Sequence, residues 1–380
     1  MHNDYERIET PAYVFDVDRL RAHTRRIKAA LGGAELCFAV KANPFLVSAL
    51  ADEADCFEVC SYGEYEICKS CGVPADKLVI SGVYKAEHEM RSVIESCGDR
   101  AVYTAESQTQ LGLLKRLAGE YALKLRVLLR LSCGNQFGMD GETLLDNVSR
   151  PDARIVVEGI QFYSGTQKPI SGIKAETERL IGFAGRFAQT AGTLRRIEYG
   201  LGLKVNYFSG EKDEENDCLD ALSKSAAMLA EKARTVIESG RFVCAGCGEY
   251  VTRIVDLKRT DGNLYCIVDG GINHLKYHGQ TMAMKTPPVK HIGAAAGKAE
   301  NWTVCGSLCT SADVLLKSMP LCGAGTGDLL VFGKAGAYSV TEGLALFLSR
   351  ALPRVYKREK GEIALIRDFI RTDLLNRKGE

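Results

Sequence analysis

Between residue 36 and about residue 240 the chain alternates two patterns of apolar and polar positions. One is a short apolar run: LCFAVKA (36–42), FEVC (57–60), KLVISG (77–82), AVYTA (101–105), LRVLLRL (125–131), EGIQFY (158–163), RIEYG (196–200) and RTVIE (234–238). These runs are rich in β-branched and aromatic residues and too short for buried helices, so each predicts a strand. The other is a longer amphipathic stretch with helical spacing. TAESQTQLGLLKRLAGE reads as a helix capped by Thr104 with Leu111, Leu114 and Leu117 on one face. SGIKAETERLIGFAGRFAQTAG (171–192) does the same with Ile173, Leu180, Phe183 and Phe187. Strand and helix in repeated alternation predict an α/β fold, a closed (β/α)8 TIM-like barrel over residues 30–245. A doubly wound open sheet is the alternative, but it prefers a glycine-rich turn after its first strand, where this chain has KANP.

Beyond residue 245 the pattern changes. YVTRIVDLKRT, NLYCIVDGGIN, NWTVCGS and DLLVFGKAGAYSV are strand-like, with little helical pattern between them. They predict a second, mostly antiparallel β domain over residues 246–380. The run PAYVFDV (11–17) comes too early to be a barrel strand, which assigns residues 1–29 to that same domain.

Lys and Arg total 49 against 48 Asp and Glu, a formal net charge of +1. That balance gives no electrostatic case for nucleic acid or an acidic membrane surface. No stretch reaches the ~18 apolar residues of a membrane helix. The start, MHNDYERIETPAYVF, is interrupted by acids and has no apolar core of a signal peptide. In that setting the 14 cysteines read as reduced thiols of a cytoplasmic protein. Two CxxC pairs, Cys68–Cys71 and Cys244–Cys247, lie too far apart in the chain to favour one zinc site, and no metal is expected.

A (β/α)8 barrel carries its chemistry at the C-terminal ends of its strands. There the sequence places Lys41, then Ser61 and Glu64, then Arg130. Further on stand Tyr163 with Gly165, Thr166 and Gln167, the turn Gly200-Leu201-Gly202, and Glu238 with Gly240 and Arg241. Singly these are ordinary: a lysine ending a strand is usually a solvated rim residue, and Glu238 with Arg241 makes a serviceable surface ion pair. Jointly they suit pyridoxal 5'-phosphate. A lysine amine forms a Schiff base with its aldehyde. Glycine-rich turns and an arginine hold its phosphate, and a carboxylate keeps its ring nitrogen protonated.

In this order the residues resemble the fold-type III pyridoxal-phosphate-dependent decarboxylases, the group of diaminopimelate and ornithine decarboxylases. The resemblance runs through nearly the whole chain. It is carried by TPAYVFD, FAVKANP around Lys41, FEVCSYGE (57–64), GIQFYSGTQ (159–167) and YGLGLKVNY (199–207). ESGR (238–241), VDGGIN (268–273), CGSLCTSADVL (305–315) and GDLLVFGKAGAY (327–338) complete it. It implies an alanine-racemase-like barrel with a C-terminal β-sandwich or barrel domain that includes the N-terminal strand. It also implies roles: Lys41 carries the cofactor, Glu238 faces its ring nitrogen, and Thr166, Gly200, Gly202 and Arg241 take the phosphate, with Tyr338 beside it. Cys309 returns a proton to Cα after CO2 leaves, from a loop that reaches in from the partner subunit. A homodimer with shared sites acting on a small amino-acid-type substrate is therefore implied.

Three departures bear on what the chain does. Tyr163 stands where most of the group has a histidine stacked on the cofactor; it stacks too but does not titrate near neutrality. The usual three-glycine turn is Gly-Leu-Gly. Thr310 follows Cys309 where diaminopimelate and ornithine enzymes have an acid for the distal ammonium of the substrate, a loss of roughly 1.5–3 kcal/mol for such a substrate. With Asn273-His274 and Phe347-Leu348-Ser349, this resembles a side branch acting on conjugated or carrier-linked amino acids in siderophore and antibiotic pathways. Asn273, His274 and Thr310 are then expected at the substrate, His274 as a donor to its carboxylate or carbonyl. The alternatives are a meso-diaminopimelate decarboxylase of lysine biosynthesis, a racemase of the same fold, or a non-catalytic homologue. Glu238 speaks against the racemase, which places an arginine at the ring nitrogen.

Overall fold

The structure, a computed structural model, describes residues 2–293 and 296–377. Its strands are β1 (Ala12–Asp16), β2 (Glu35–Ala39), β3 (Cys56–Val59), β4 (Leu78–Ile80), β5 (Val102–Ala105), β6 (Leu125–Leu131), β7 (Ile155–Tyr163), β8 (Arg196–Gly200) and β9 (Arg234–Ser239). They continue as β10 (Gly248–Thr260), β11 (Asn263–Val268), β12 (Val289–Ile292), β13 (Ala299–Cys305), β14 (Val314–Cys322), β15 (Leu329–Phe332), β16 (Arg354–Glu359) and β17 (Glu362–Arg367). The chain divides into two compact units, one of residues 21–205 and 213–243, the other of residues 1–20, 206–212 and 244–380.

In the first unit β2 to β9 form a closed parallel barrel in chain order, sealed where β9 pairs with β2 with Leu36 opposite Ile237. These are the eight apolar runs of the sequence. Parallel barrel strands are covered on both faces, which is why they read as continuous apolar runs rather than alternating ones. The first run ends early as a strand: β2 stops at Ala39, and Val40–Ala42 makes a single 3-10 turn that carries Lys41. The helix Gln108–Glu120 buries Leu111, Leu114 and Leu117 as its spacing predicts. Its cap is Ser107, whose Oγ accepts the Gln110 N–H at 3.2 Å, and not Thr104, which lies in β5. The helix Ile170–Ala191 buries Ile173, Leu180, Phe183 and Phe187 and ends at Gly192, with φ of 78°.

The barrel interior is partly charged. Glu198, fully buried on β8, accepts from Gln161 Nε2 at 3.1 Å and Arg196 Nη2 at 2.5 Å. Buried ions persist only when paired in this way.

In the second unit the strands form one nine-stranded mixed sheet. Its main path runs β14-β13-β11-β10-β1-β16-β17, with β15 also paired to β10 and β12 to β15. PAYVFDV supplies β1, which lies between β10, antiparallel, and β16, parallel. One face of β1 buries Ala12 and Val14 with Val251, Leu329, Val331 and Tyr356. The other buries Tyr13 and Phe15, the Tyr13 ring 5.1 Å from that of Tyr250. Among the described residues no helix is long and apolar enough to cross a membrane.

Candidate active site

Lys41 leaves the 3-10 turn after β2 with its amine among three side chains. Nζ lies 2.6 Å from Glu58 Oε2, 3.2 Å from Glu238 Oε1 and 3.6 Å from Cys60 Sγ. Glu58 and Cys60 share a face because they are two residues apart on and just after β3. Both carboxylates are buried. Burial and the neighbouring Glu58 charge push Glu238 upward, so it keeps its proton. Burial opposes ionisation of Glu58 as well, but Lys41 and a hydrogen bond from Glu238 outweigh it and hold Glu58 low. Two carboxylates thus share one amine, and the deficit of positive charge is made up by a proton on Glu238. A cation bound beside Glu238 would let it release that proton and ionise.

The side of the mouth formed by β7, β8 and β9 is built from turns with no room for side chains. A Cβ on Gly202, whose φ is 69°, would lie 2.1 Å from Gly165 O. One on Gly200 would lie 2.6 Å from Tyr163 Cδ2, so the tyrosine ring rests on that glycine. Arg241 Nε donates to Thr166 Oγ1 at 3.1 Å. Gln167, at φ of 58°, clamps the next turn by accepting from Val205 N (2.7 Å) and donating to Val205 O (2.9 Å). Leu201 is buried, so the change from three glycines places its side chain in the core. A small-residue cradle with an arginine and a hydroxyl at its corner fits a phosphate. With the amine and the carboxylate pair, these residues fit pyridoxal phosphate.

The barrel unit therefore brings Lys41, Tyr163, Thr166, Gly200, Gly202, Glu238 and Arg241 to one mouth. Sequence reasoning named these but not Glu58 and Cys60, which stand beside the Lys41 amine. A lone acid inside the apolar run FEVC was the available signal for Glu58. Arg130 pairs with Glu106 at 2.9 Å, beside Lys85.

The second unit gathers the remaining expected residues. Cys309 is exposed in the loop between β13 and β14. The buried Asp313 accepts N–H groups from Ile272 and Leu308, each at 2.8 Å, and so joins the Asn273-His274 stretch to the Cys309-Thr310 loop. Gly271 and Gly306 are required there, because a Cβ on either would lie within 2.6 Å or less of Asp313 Oδ2. Thr310 Oγ1 accepts from Ala312 N at 3.3 Å. Tyr338 has φ of 64°, and Ser339 Oγ next to it donates to Lys276 O at 2.5 Å.

His274 has both ring nitrogens beside partners within the chain. It is buried, Nε2 lies 2.9 Å from Ala351 O and Nδ1 3.2 Å from Tyr250 Oη. Burial pulls it down to about 4, so the ring is neutral and engaged on both sides. Asn273 is buried too, and its Oδ1 has no partner among the described residues.

Comparison with known proteins bears on the same residues. The family model described as pyridoxal-dependent decarboxylase, pyridoxal binding domain, matches residues 17–245. A diaminopimelate decarboxylase of Pseudomonas aeruginosa is 30% identical, over 88% of this chain and 84% of its own. An L-glutamyl-[BtrI acyl-carrier protein] decarboxylase of Niallia circulans is 28% identical, over 95% of this chain and 92% of its own. The crystal structure of diaminopimelate decarboxylase from M. jannaschii shares the fold with a TM-score of 0.88 at 22% identity, covering 100% of this chain and 94% of its own. The chain belongs to the pyridoxal-dependent decarboxylases of fold type III, enzymes that use pyridoxal phosphate to remove a carboxylate from an amino acid.

Proposed function

We propose that this chain removes the α-carboxylate of an amino acid presented as a conjugate, either modified or linked to a carrier, rather than of a free diamino acid. The observation that carries this reading is the neutrality of the Cys309 loop. Thr310 follows the cysteine, and the one acid of residues 306–313 is Asp313. Its two oxygens are already taken by the N–H groups of Ile272 and Leu308. A distal ammonium would meet a hydroxyl in place of a carboxylate and lose a charge-assisted bond. The Niallia relative, named for a glutamyl group on an acyl-carrier protein, supports the same direction.

When bound, pyridoxal phosphate supplies the sink for the electron pair left behind as the carboxylate departs. The chain does the rest. Lys41 provides the amine that holds the cofactor and gives it up to the substrate amine, with Glu58 beside it as counter-ion. Glu238 keeps a proton beside the Lys41–Glu58 pair. Thr166, Arg241 and the Gly200–Gly202 turn hold the phosphate, with Tyr338 completing that end, and Tyr163 offers a flat aromatic face. Cys309 delivers a proton to the α-carbon. Residues 30–245 thus hold the cofactor, while residues 1–29 and 246–380 supply Cys309 and the substrate contacts, in a homodimer with shared sites.

The test is CO2 release by purified protein supplied with pyridoxal phosphate. Borohydride should fix the cofactor on Lys41. Release from meso-diaminopimelate should be slow, and release from a glutamyl thioester of a carrier or its pantetheine should be faster. Rapid release from meso-diaminopimelate would end the substrate reading and make Thr310 compatible with a distal ammonium.

A further inference from the structure

We infer that Lys168 is a positioning residue for the cofactor, acting through the ring of Tyr163 and the Gly200–Gly202 turn. The inference rests on the cofactor reading of the barrel mouth and adds a residue that it does not use. Lys168 follows Gln167 in the turn after β7 and is buried, an unusual place for a lysine. Its amine donates to Glu176 Oε2 at 2.5 Å. Glu176, on the helix Ile170–Ala191, also accepts from Tyr199 Oη at 2.9 Å and from Ser164 Oγ. One carboxylate on that helix therefore ties β8 to both ends of the turn that follows β7.

The amine so anchored lies 5.8 Å from the centre of the Tyr163 ring and 5.6 Å from that of Tyr199. Lys41 lies 6.0 Å from the Tyr163 ring. Tyr163 is thus set by two cations and by Gly200 beneath it. Cations within about 6 Å of an aromatic centre attract it, more strongly where water is excluded. The backbone of Lys168 acts on the turn itself: its N–H donates to Gly202 O at 3.0 Å. Its Cε stands where a side chain on Gly202 would go, 3.0 Å from the ideal Cβ. The lysine stem therefore walls the glycine turn while its head steers the tyrosine. Tyr163 lacks the charge that an imidazole acquires, and a fixed neighbouring cation is a physical means of holding its orientation.

The experiment is a double-mutant cycle in cofactor binding between Lys168→Met and Tyr163→Leu. Pyridoxal phosphate affinity is read by titration of the apo protein, and the visible circular dichroism of the bound cofactor reports its tilt. Lys168→Met should weaken binding about tenfold and alter the visible dichroism. In the Tyr163→Leu background the same change should cost less than about twofold. Lys168→Arg should recover most of the loss. The apo proteins should melt within a few degrees of one another. Should Lys168→Met fail to fold, Glu176→Gln, which frees the amine from its anchor, should show a smaller loss with the same dependence on Tyr163. Equal losses in both backgrounds, or unchanged affinity and dichroism with a lowered apo melting temperature, would make Lys168 merely structural and overturn the inference. A wild type that takes up no pyridoxal phosphate would remove the reading beneath it, and the inference with it.

Discussion

At the scale of single residues, the barrel mouth works by placing more buried carboxylate than amine around Lys41. Glu238 is the acid that yields and keeps its proton, because Glu58 is already ionised against Lys41. Replacing Glu238 with Gln preserves shape and hydrogen bonding but removes the ability to become an anion facing a cationic ring. Cofactor binding should fall little, while kcat should fall on the order of 10²-fold. An unchanged kcat would show that Glu238 only fills space. Lys85 offers a second test through pH. Its amine is enclosed by Gly82 O at 2.7 Å and Gln110 Oε1 at 3.2 Å. Burial pulls it down to about 8, with Glu106 opposing. Between that value and about 10.4 the unfolded chain binds more protons than the folded one, so this position adds stability as pH rises across the window. The unfolding free energy of the wild type minus that of Lys85→Met should rise on the order of 2–3 kcal/mol from pH 7 to 10.5. A flat difference would mean that the amine reaches water in the folded state.

At the scale of elements, the Cys309 loop depends on one carboxylate. Asp313 uses one oxygen for Ile272 N–H and the other for Leu308 N–H. Asp313→Asn turns one of these acceptors into a donor facing a donor, at a cost of about 1–3 kcal/mol. It should lower kcat and speed proteolysis between residues 305 and 313 with cofactor affinity unchanged. A variant with normal turnover would uncouple the loop from Asp313. The strand elements themselves were legible in the sequence because barrel strands are covered on both faces and stand out as apolar runs. The glycine turns and Lys41 were legible because barrel topology puts chemistry at strand ends. Glu58, Lys168 and the buried Glu198 were not, since a single charge beside an apolar run looks the same whether it faces water or a buried partner. Thr and Ser offer the same hydroxyl as a cap, but Thr104 lies inside β5, which ends at Ala105, and the helix begins only at Gln108, so the cap falls three residues later at Ser107. For His274, sequence shows an imidazole in a glycine-rich loop but not the carbonyl and hydroxyl beside its two nitrogens.

At the scale of the whole molecule, each unit is assembled from separated stretches of chain, and the second depends on the first few residues. β1 hydrogen-bonds to β10 on one side and to β16 on the other, so the nine-stranded sheet is continuous only through it. Proline at Val14, fully within β1 and buried, removes a ladder N–H in a central strand and leaves its buried partner unsatisfied, at a cost of about 1–3 kcal/mol. If the units have separate cores, amide-exchange protection should fall across β10, β11, β16 and β17 while β2 to β9 keep theirs. The division of labour proposed above then has a functional signature. Val14→Pro should still bind pyridoxal phosphate and still be fixed on Lys41 by borohydride, because those residues belong to the barrel. It should lose CO2 release, because Cys309 sits in the unit whose sheet has been broken. Loss of cofactor binding together with protection in β2 to β9 would show instead that the chain folds as one cooperative body, and that the cofactor site draws its stability from strands in which none of its barrel residues stand.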